Sequence, residues 1–391
     1  DHGGGVASGD AGVVVELPPD RRDGSQWMTI NVGPDLKRSV IDMALGGGIW
    51  APEPKVLNRA FLCLPPYRAG GFAGSDLLAV TAALEFARKV NAPQADQERL
   101  IRRTRALVSS LVVSSHKDGG WVWKRRGGNS QWSVSAMSFW ALAEAKKLGI
   151  PVHEETLKKG ETYLKGMFTK VGANDNDAKA LILFALSANG AAEFALANRL
   201  HRERNTLSAP ALAYTAMTLV NLKREEFASE LIDVLEKKMK SEKLSNNRSV
   251  ISWGGASNAA WVNDRVETTA LAALAMMKVR PGSPRIKQAV DYLLNRRGAY
   301  GFSTAKARGP AVAALAAYYA KGKFAQADYK LTVHVNGREL TSIAAVGEQP
   351  TITIAVPHDM MNEGRNFVEF RLNGRGEYAY AVTLRGFTRN L

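Results

Sequence analysis

Residues 118–149 read DGGWVWKRRGGNSQWSVSAMSFWALAEAKKLG, and two later stretches follow the same plan. A Gly-Gly-Trp loop leads through a polar turn into a helix dense in Ala, Ser and bulky apolar residues. Residues 252–280 and 298–321 repeat that order. Outward from these echoes the pattern stays helical, with candidate helices at 36–45, 55–62, 76–90, 94–115, 130–147, 153–169 and 175–188. Further candidates cover 191–204, 208–222, 225–239, 264–278, 285–296 and 306–319.

Past 55 they alternate between two types. One is small and apolar almost all round, as in AKALILFALSANG, APALAYTAMTLV, VETTALAALAMM and ARGPAVAALAAYY. The other carries charge on one face, as in QERLIRRTRALVSSL, EETLKKGETYLKGMF, EEFASELIDVLEKKM and RIKQAVDYLLNRR. A helix apolar all round must be buried, whereas a single apolar stripe belongs at a surface. Buried and half-buried helices alternating over about six pairs predict an α/α-toroid, an inner barrel with an amphipathic outer layer. An open solenoid is the competing arrangement.

Both ends of the chain read differently. GVVVE (12–16) and QWMTINV (26–32) are β-branched runs around a turn-rich PPDRRDG. DYKLTVHV (328–335) alternates with period two and meets the hairpin signal Asn336-Gly337. TITIAV, NFVEFRL and EYAYAVTL continue the strand pattern. The expected division is 1–11 a disordered Gly-rich leader, 12–34 the first strands of a small antiparallel β-domain, 35–324 the toroid and 325–391 the remaining strands. The toroid is then an insertion in a β-domain split in sequence.

Composition narrows the function classes. With 391 residues, 46% of them hydrophobic, the chain can bury a large core. Lys plus Arg is 52 and Asp plus Glu 37, a net charge of +15, yet the basic residues are scattered and no nucleic-acid signature accompanies them. Nucleic acid is not an expected partner. The single cysteine, Cys63, rules out an intrachain disulfide. No apolar run reaches the roughly 18–20 residues of a membrane span. Six histidines show no ligand spacing, so neither metal nor cofactor is expected.

Asn174–Asp177 (NDND) opens a buried-type helix; it could be an acid or Mg²⁺ motif, but a helix cap with an acidic first turn is the favoured reading. Asp264 and Glu267 have capping-box spacing. The aromatic residues Trp121, Trp123, Trp132, Trp253 and Trp261 could line a cavity at the toroid's mouth, or plug the junctions between hairpins. The plug is the favoured reading.

Several stretches are familiar in their order. GGWVWKRRGGNSQWSVSAMSFWALAEA, SWGGASNAAWVNDRVETTALAALAMM with VDYLLNRR, and GAYGFSTAKARGPAVAALAAYY resemble the thioester-containing domain of alpha-2-macroglobulin-like proteins, particularly the bacterial type. The tail, through VHVNGREL and NEGRNFVEFRLNGRGEYAYAVTL, resembles the CUB-like β segment of that family, and WMTINVGPDLKRSVIDMAL the segment leading in. The resemblance implies a toroid in a CUB-like domain and a terpenoid-cyclase-like fold.

It also implies a Pro-Tyr-Gly-Cys-x-Glu-Gln thioester near the start of the toroid. The match here is Pro66-Tyr67-Arg68-Ala69-Gly70-Gly71-Phe72, with Ala69 in place of the cysteine and Phe72 in place of the glutamine. Pro66 lies three residues after Cys63, so no shifted register restores the pair. The degenerate positions are therefore Tyr67, Ala69 and Phe72, and no catalytic residue is expected.

The implied role is a structural and protein-interaction module of a protease-trapping or surface-defence protein, extracellular or periplasmic. Its implied partners are a protein, a protease among the candidates, and upstream macroglobulin domains, with room for a membrane anchor ahead of residue 1. The alternative is a toroid-fold enzyme, terpene cyclase-like or polysaccharide-degrading, using an aromatic-lined cavity.

Overall fold

The computed structural model describes residues 1–45, 71–122, 128–244, 248–254, 264–297, 302, 304–322, 327–347 and 349–387. The chain is mainly helical with a small antiparallel β-domain. Three strands come first, β1 (His2–Ala7), β2 (Ala11–Glu16) and β3 (Trp27–Gly33). Twelve α-helices follow among the described residues. They are α1 (Leu36–Leu45), α2 (Gly71–Lys89), α3 (Gln94–Ser114), α4 (Trp132–Lys147), α5 (Glu154–Lys170) and α6 (Asn176–Ala188). Next come α7 (Phe194–Arg202), α8 (Ala209–Asn221), α9 (Glu225–Lys237), α10 (Arg265–Val279), α11 (Arg285–Asn295) and α12 (Ala305–Tyr319).

A two-stranded hairpin, β4 (Lys240–Lys243) with β5 (Ser249–Ser252), sits between α9 and α10. The chain closes with β6 (Asp328–Val335), β7 (Arg338–Val346), β8 (Ile352–Ala355), β9 (Arg365–Arg375) and β10 (Tyr378–Arg385).

The small apolar helices form a closed ring. α2, α4, α6, α8, α10 and α12 each pack on the next, and α12 returns to α2. Every residue of α8 from Ala209 to Leu219 is buried. The outer helix α9 buries only Ala228, Leu231, Ile232 and Leu235, the stripe of a helix with one face in solvent. Alternation of these two types along the sequence is thus alternation of inner and outer layers in space, and the open solenoid is excluded by the α12–α2 contact.

The β-domain interleaves both ends of the chain. One sheet runs β1-β10-β3-β8 and the other β2-β9-β6-β7, with antiparallel pairing throughout. Side chains alternating inward from each sheet share one core, including Val15, Ile30, Val32, Leu331, Val333, Val368, Phe370 and Val382.

The expected disordered leader is one correction. Residues 2–7 form β1, hydrogen-bonded along β10 from His2 opposite Thr383 to Ala7 opposite Tyr378. Its glycines are a packing requirement rather than a sign of disorder. A Cβ on Gly4 would lie 2.7 Å from the Tyr380 carbonyl oxygen and 3.0 Å from that of Leu294, so only glycine lets β1 slide between β10 and the end of α11.

The ring and the β-domain also meet at α1. Arg38 of α1 bonds Asp42 (2.9 Å) and reaches both oxygens of Asp96 on α3 (2.6 and 2.7 Å). Asp42 in turn accepts from the Thr351 N–H at the start of β8 (3.0 Å). The Tyr329 hydroxyl of β6 donates to the Pro34 carbonyl (2.7 Å).

Candidate functional site

The Gly-Gly-Trp stretch builds a rivet. Gly119 has φ +89, and a Cβ there would lie 2.3 Å from the Lys159 carbonyl oxygen of α5, so neither the backbone conformation nor the space admits a side chain. The turn delivers Trp121 to full burial. Its indole Nε1 donates to the Leu111 carbonyl (2.9 Å) in the last turn of α3, an acceptor that the Ser114 hydroxyl also reaches at 3.3 Å. Its backbone N–H donates to Ser135 Oγ in the first turn of α4 (2.8 Å). The Ser135 hydroxyl spends its own proton on the Gln131 carbonyl (2.7 Å).

The second echo repeats this geometry. Trp253, also fully buried, donates Nε1 to the Leu235 carbonyl in the last turn of α9 (2.7 Å). Its N–H donates to Thr269 Oγ1 near the start of α10 (3.1 Å), and Thr269 donates to the Arg265 carbonyl (2.7 Å). Each tryptophan thereby joins the end of an outer helix to the start of the next inner one. Neither lines the ring's central cavity, and Trp132, half-buried at the start of α4, does not line it either. Trp123 and Trp261 lie outside the described residues, as do the expected 55–62 helix, Cys63, Tyr67 and Ala69; Phe72 falls in the first turn of α2.

Around these rivets the amino-terminal ends of four of the six inner helices, α6, α8, α10 and α12, are closed by side-chain caps. Asp175 caps α6 by accepting from Ala178 N–H (3.1 Å), which is the capping role of NDND. Ser208 caps α8 through Ala211 N–H (3.2 Å) and donates to Asp177. Asp264 caps α10 through Glu267 N–H (3.0 Å), and Thr304 caps α12 through Ala307 N–H (3.3 Å) while donating to Asp264.

Glu267, 2% exposed, does not turn back to complete a capping box. It pairs with Lys306 of α12 at 2.7 Å. Burial pushes its carboxyl up to about 7 despite the pull of Lys306. Burial likewise raises the neighbouring Asp177 carboxyl and drives the Tyr214 phenol well above its usual value.

The carboxyl-terminal ends are open. All six inner helices contribute to a cavity of about 720 Å³, within the size range of small-molecule sites. Phe86, Trp140, Phe184, Met217, Leu274 and Met277 make its floor. Trp140 meets Phe184 edge-on, with ring centroids 4.8 Å apart, and Phe184 stacks toward Tyr214 at 5.4 Å. The rim carries Lys89, Lys147, Lys278, Lys321, Glu85 and Glu144.

Glu85 pairs with Lys89 (2.7 Å) and Glu144 with Lys147 (2.9 Å). Both carboxylates are solvated rim groups, and the buried carboxylates Asp42, Asp76, Asp96 and Glu267 are not in the lining. Among the described residues no cluster of His, Cys, Asp or Glu is placed to hold a metal ion. No described helix is long and apolar enough to cross a membrane.

No family model and no curated protein matches this sequence. Solved structures do match, over the whole chain. A mutant alpha-2-macroglobulin from Salmonella aligns at 13% identity with a TM-score of 0.57, the match covering 100% of this chain and 24% of that one. Native alpha-2-macroglobulin from Escherichia coli, in a form spanning domain MG7 to the C-terminus, aligns at 12% identity and TM-score 0.56, covering 58% of that chain. The native conformation of the Escherichia coli protein aligns at 11% and 0.57, covering 23%. A closed helical ring clasped by a split β-domain is thus shared with these molecules from end to end of the present chain. The chain has the fold of a segment, about a quarter of the length, of the Salmonella and Escherichia coli alpha-2-macroglobulins.

Proposed function

We propose that this chain is the thioester-domain and CUB-like segment of an alpha-2-macroglobulin-like protein and acts as a structural and protein-interaction module without thioester chemistry. The observation that carries the reading is the end-to-end structural match to two bacterial alpha-2-macroglobulins. The parent protein is read as a protease trap or surface-defence protein, extracellular or periplasmic, with its partner a protein. Upstream macroglobulin domains, and an anchor ahead of residue 1, belong to the same proposal.

Loss of the covalent step follows from elementary chemistry. An internal thioester needs a cysteine sulfur and a glutamine carboxamide whose nitrogen leaves as ammonia. At the matching positions this sequence has Ala69 and Phe72, and its one thiol is Cys63. The enzyme alternative asks the central cavity to hold an acid against a buried substrate. The carboxylates that line it, Glu85 and Glu144, are solvated and paired to lysines, which favours the non-catalytic reading.

Methylamine treatment followed by mass spectrometry tests the claim. The expected outcome is an unchanged mass and no newly titratable thiol. Methylamine incorporated at a glutamine, with release of one thiol, overturns it.

A further inference from the structure

We propose that the open mouth of the ring, at the carboxyl-terminal ends of the six inner helices, binds a small amphipathic anion. Its apolar tail lies over Trp140, Phe184 and Met217, and its carboxylate head sits at Lys278 and Lys321. This goes beyond the structural role above and does not depend on it.

Three observations converge on this site. The cavity of about 720 Å³ is lined by residues of every inner helix, so it belongs to the closed ring rather than to one loop. Its floor is apolar and aromatic, which suits an aliphatic or aryl tail. Its rim is asymmetric in charge. On the α2–α4 side each lysine has its own carboxylate, Glu85 for Lys89 and Glu144 for Lys147. On the adjacent side, Lys278 near the end of α10 and Lys321 just past α12 have no carboxylate within ion-pair reach among the described residues, and both are exposed.

Helix carboxyl termini carry only fractional negative charge, and their effect fades within a turn. The termini of α10 and α12, the two at that edge, carry roughly half a negative charge each, so the two full ammonium charges beside them outweigh them. A neutral terpene-like ligand would leave them without a role, and a cation would be repelled.

The test uses the whole chain and titrates dodecanoate by calorimetry, with dodecanol as the uncharged probe of equal length. One-to-one saturable binding of dodecanoate is expected, at least tenfold tighter than dodecanol. The double variant K278A/K321A should bring dodecanoate down to the dodecanol level; both lysines are exposed, so folding is preserved. Removing the paired Lys147, as K147A, should change affinity less than threefold. Absence of saturable binding, equal affinity for the two probes, many ligands per chain, or an unaffected double variant each overturns the proposal. Ala317→Trp, which fills the cavity, should abolish binding; retained affinity in a folded A317W protein also overturns it.

Discussion

At the amino-terminal ends of the inner helices, Trp121 and Trp253 rivet outer helices to inner ones, and side-chain caps link neighbouring helices through Asp177–Ser208 and Asp264–Thr304. At the carboxyl-terminal ends, the same helices stop short of one another and leave a cavity rimmed by solvated lysines. Both ends are made by one set of helices, so the contrast comes from a few residues at each terminus. Short hydroxyls and carboxylates link neighbouring helices at one end, while solvated lysines and glutamates rim the other. Stability belongs to the first end, and space for a ligand to the second.

The sharpest way to break this contrast is to remove a rivet. Trp121→Ala or Trp253→Ala should cost about 3–5 kcal/mol, the range for truncating a large buried aromatic. Urea denaturation checks it, and a loss below about 1 kcal/mol would show that the indoles fill space without holding the ring. The two variants should behave alike, since each removes an indole that donates to a last-turn carbonyl of an outer helix.

A second, intermediate effect concerns Glu267. Its carboxyl titrates near 7 in the folded chain, above the ordinary carboxylate value of 4.5. Between those values the folded state holds a proton that the unfolded chain has released. Its contribution is therefore complete below about pH 4.5, declines as pH rises, and is lost above about 7, with a ceiling of about 3 kcal/mol. Glu267→Gln should flatten that part of the stability–pH curve in thermal melts taken from pH 4.5 to 8. An unchanged slope would mean that Lys306 keeps the carboxylate ionised throughout. The smallest effect belongs to the open end. Lys278→Ala should leave stability within about 0.5 kcal/mol, as expected of an exposed side chain; a larger loss would mean that the rim is structural.

The helices were legible because burial writes itself into composition. Segments such as APALAYTAMTLV have no polar face to offer water, and EEFASELIDVLEKKM has just one apolar stripe. The split β-domain was legible from period-two alternation and from orphan strands at the start of the chain. β1 was not, because HGGGVA has the composition of a loose leader. Its strand is imposed by a close approach to Tyr380 and Leu294, residues some hundreds of positions away.

At the site, the plug reading of Trp121 followed from its recurrence at Trp253. The Glu267–Lys306 pair was hidden behind a local capping pattern, since 39 positions separate the partners (306 − 267). The mouth was not foreseen as a lysine-rimmed cavity at all. Phe86, Phe184, Met217 and Lys278 come from four different helices and Lys321 from just past a fifth, and only ring closure makes them neighbours.

The pairing of β1 with β10 also has a mechanical side. His2 lies opposite Thr383 and Ala7 opposite Tyr378, so the outermost residues of the two strands sit at the same end of the ladder. Tension drawn across them would peel their hydrogen bonds apart one pair at a time rather than shear them all together. Until that seam and its neighbours open, the backbone between β1 and β10 is not drawn taut. The β-domain is therefore a clasp that yields first, and the ring it encloses can stay intact while the chain at its ends is being pulled.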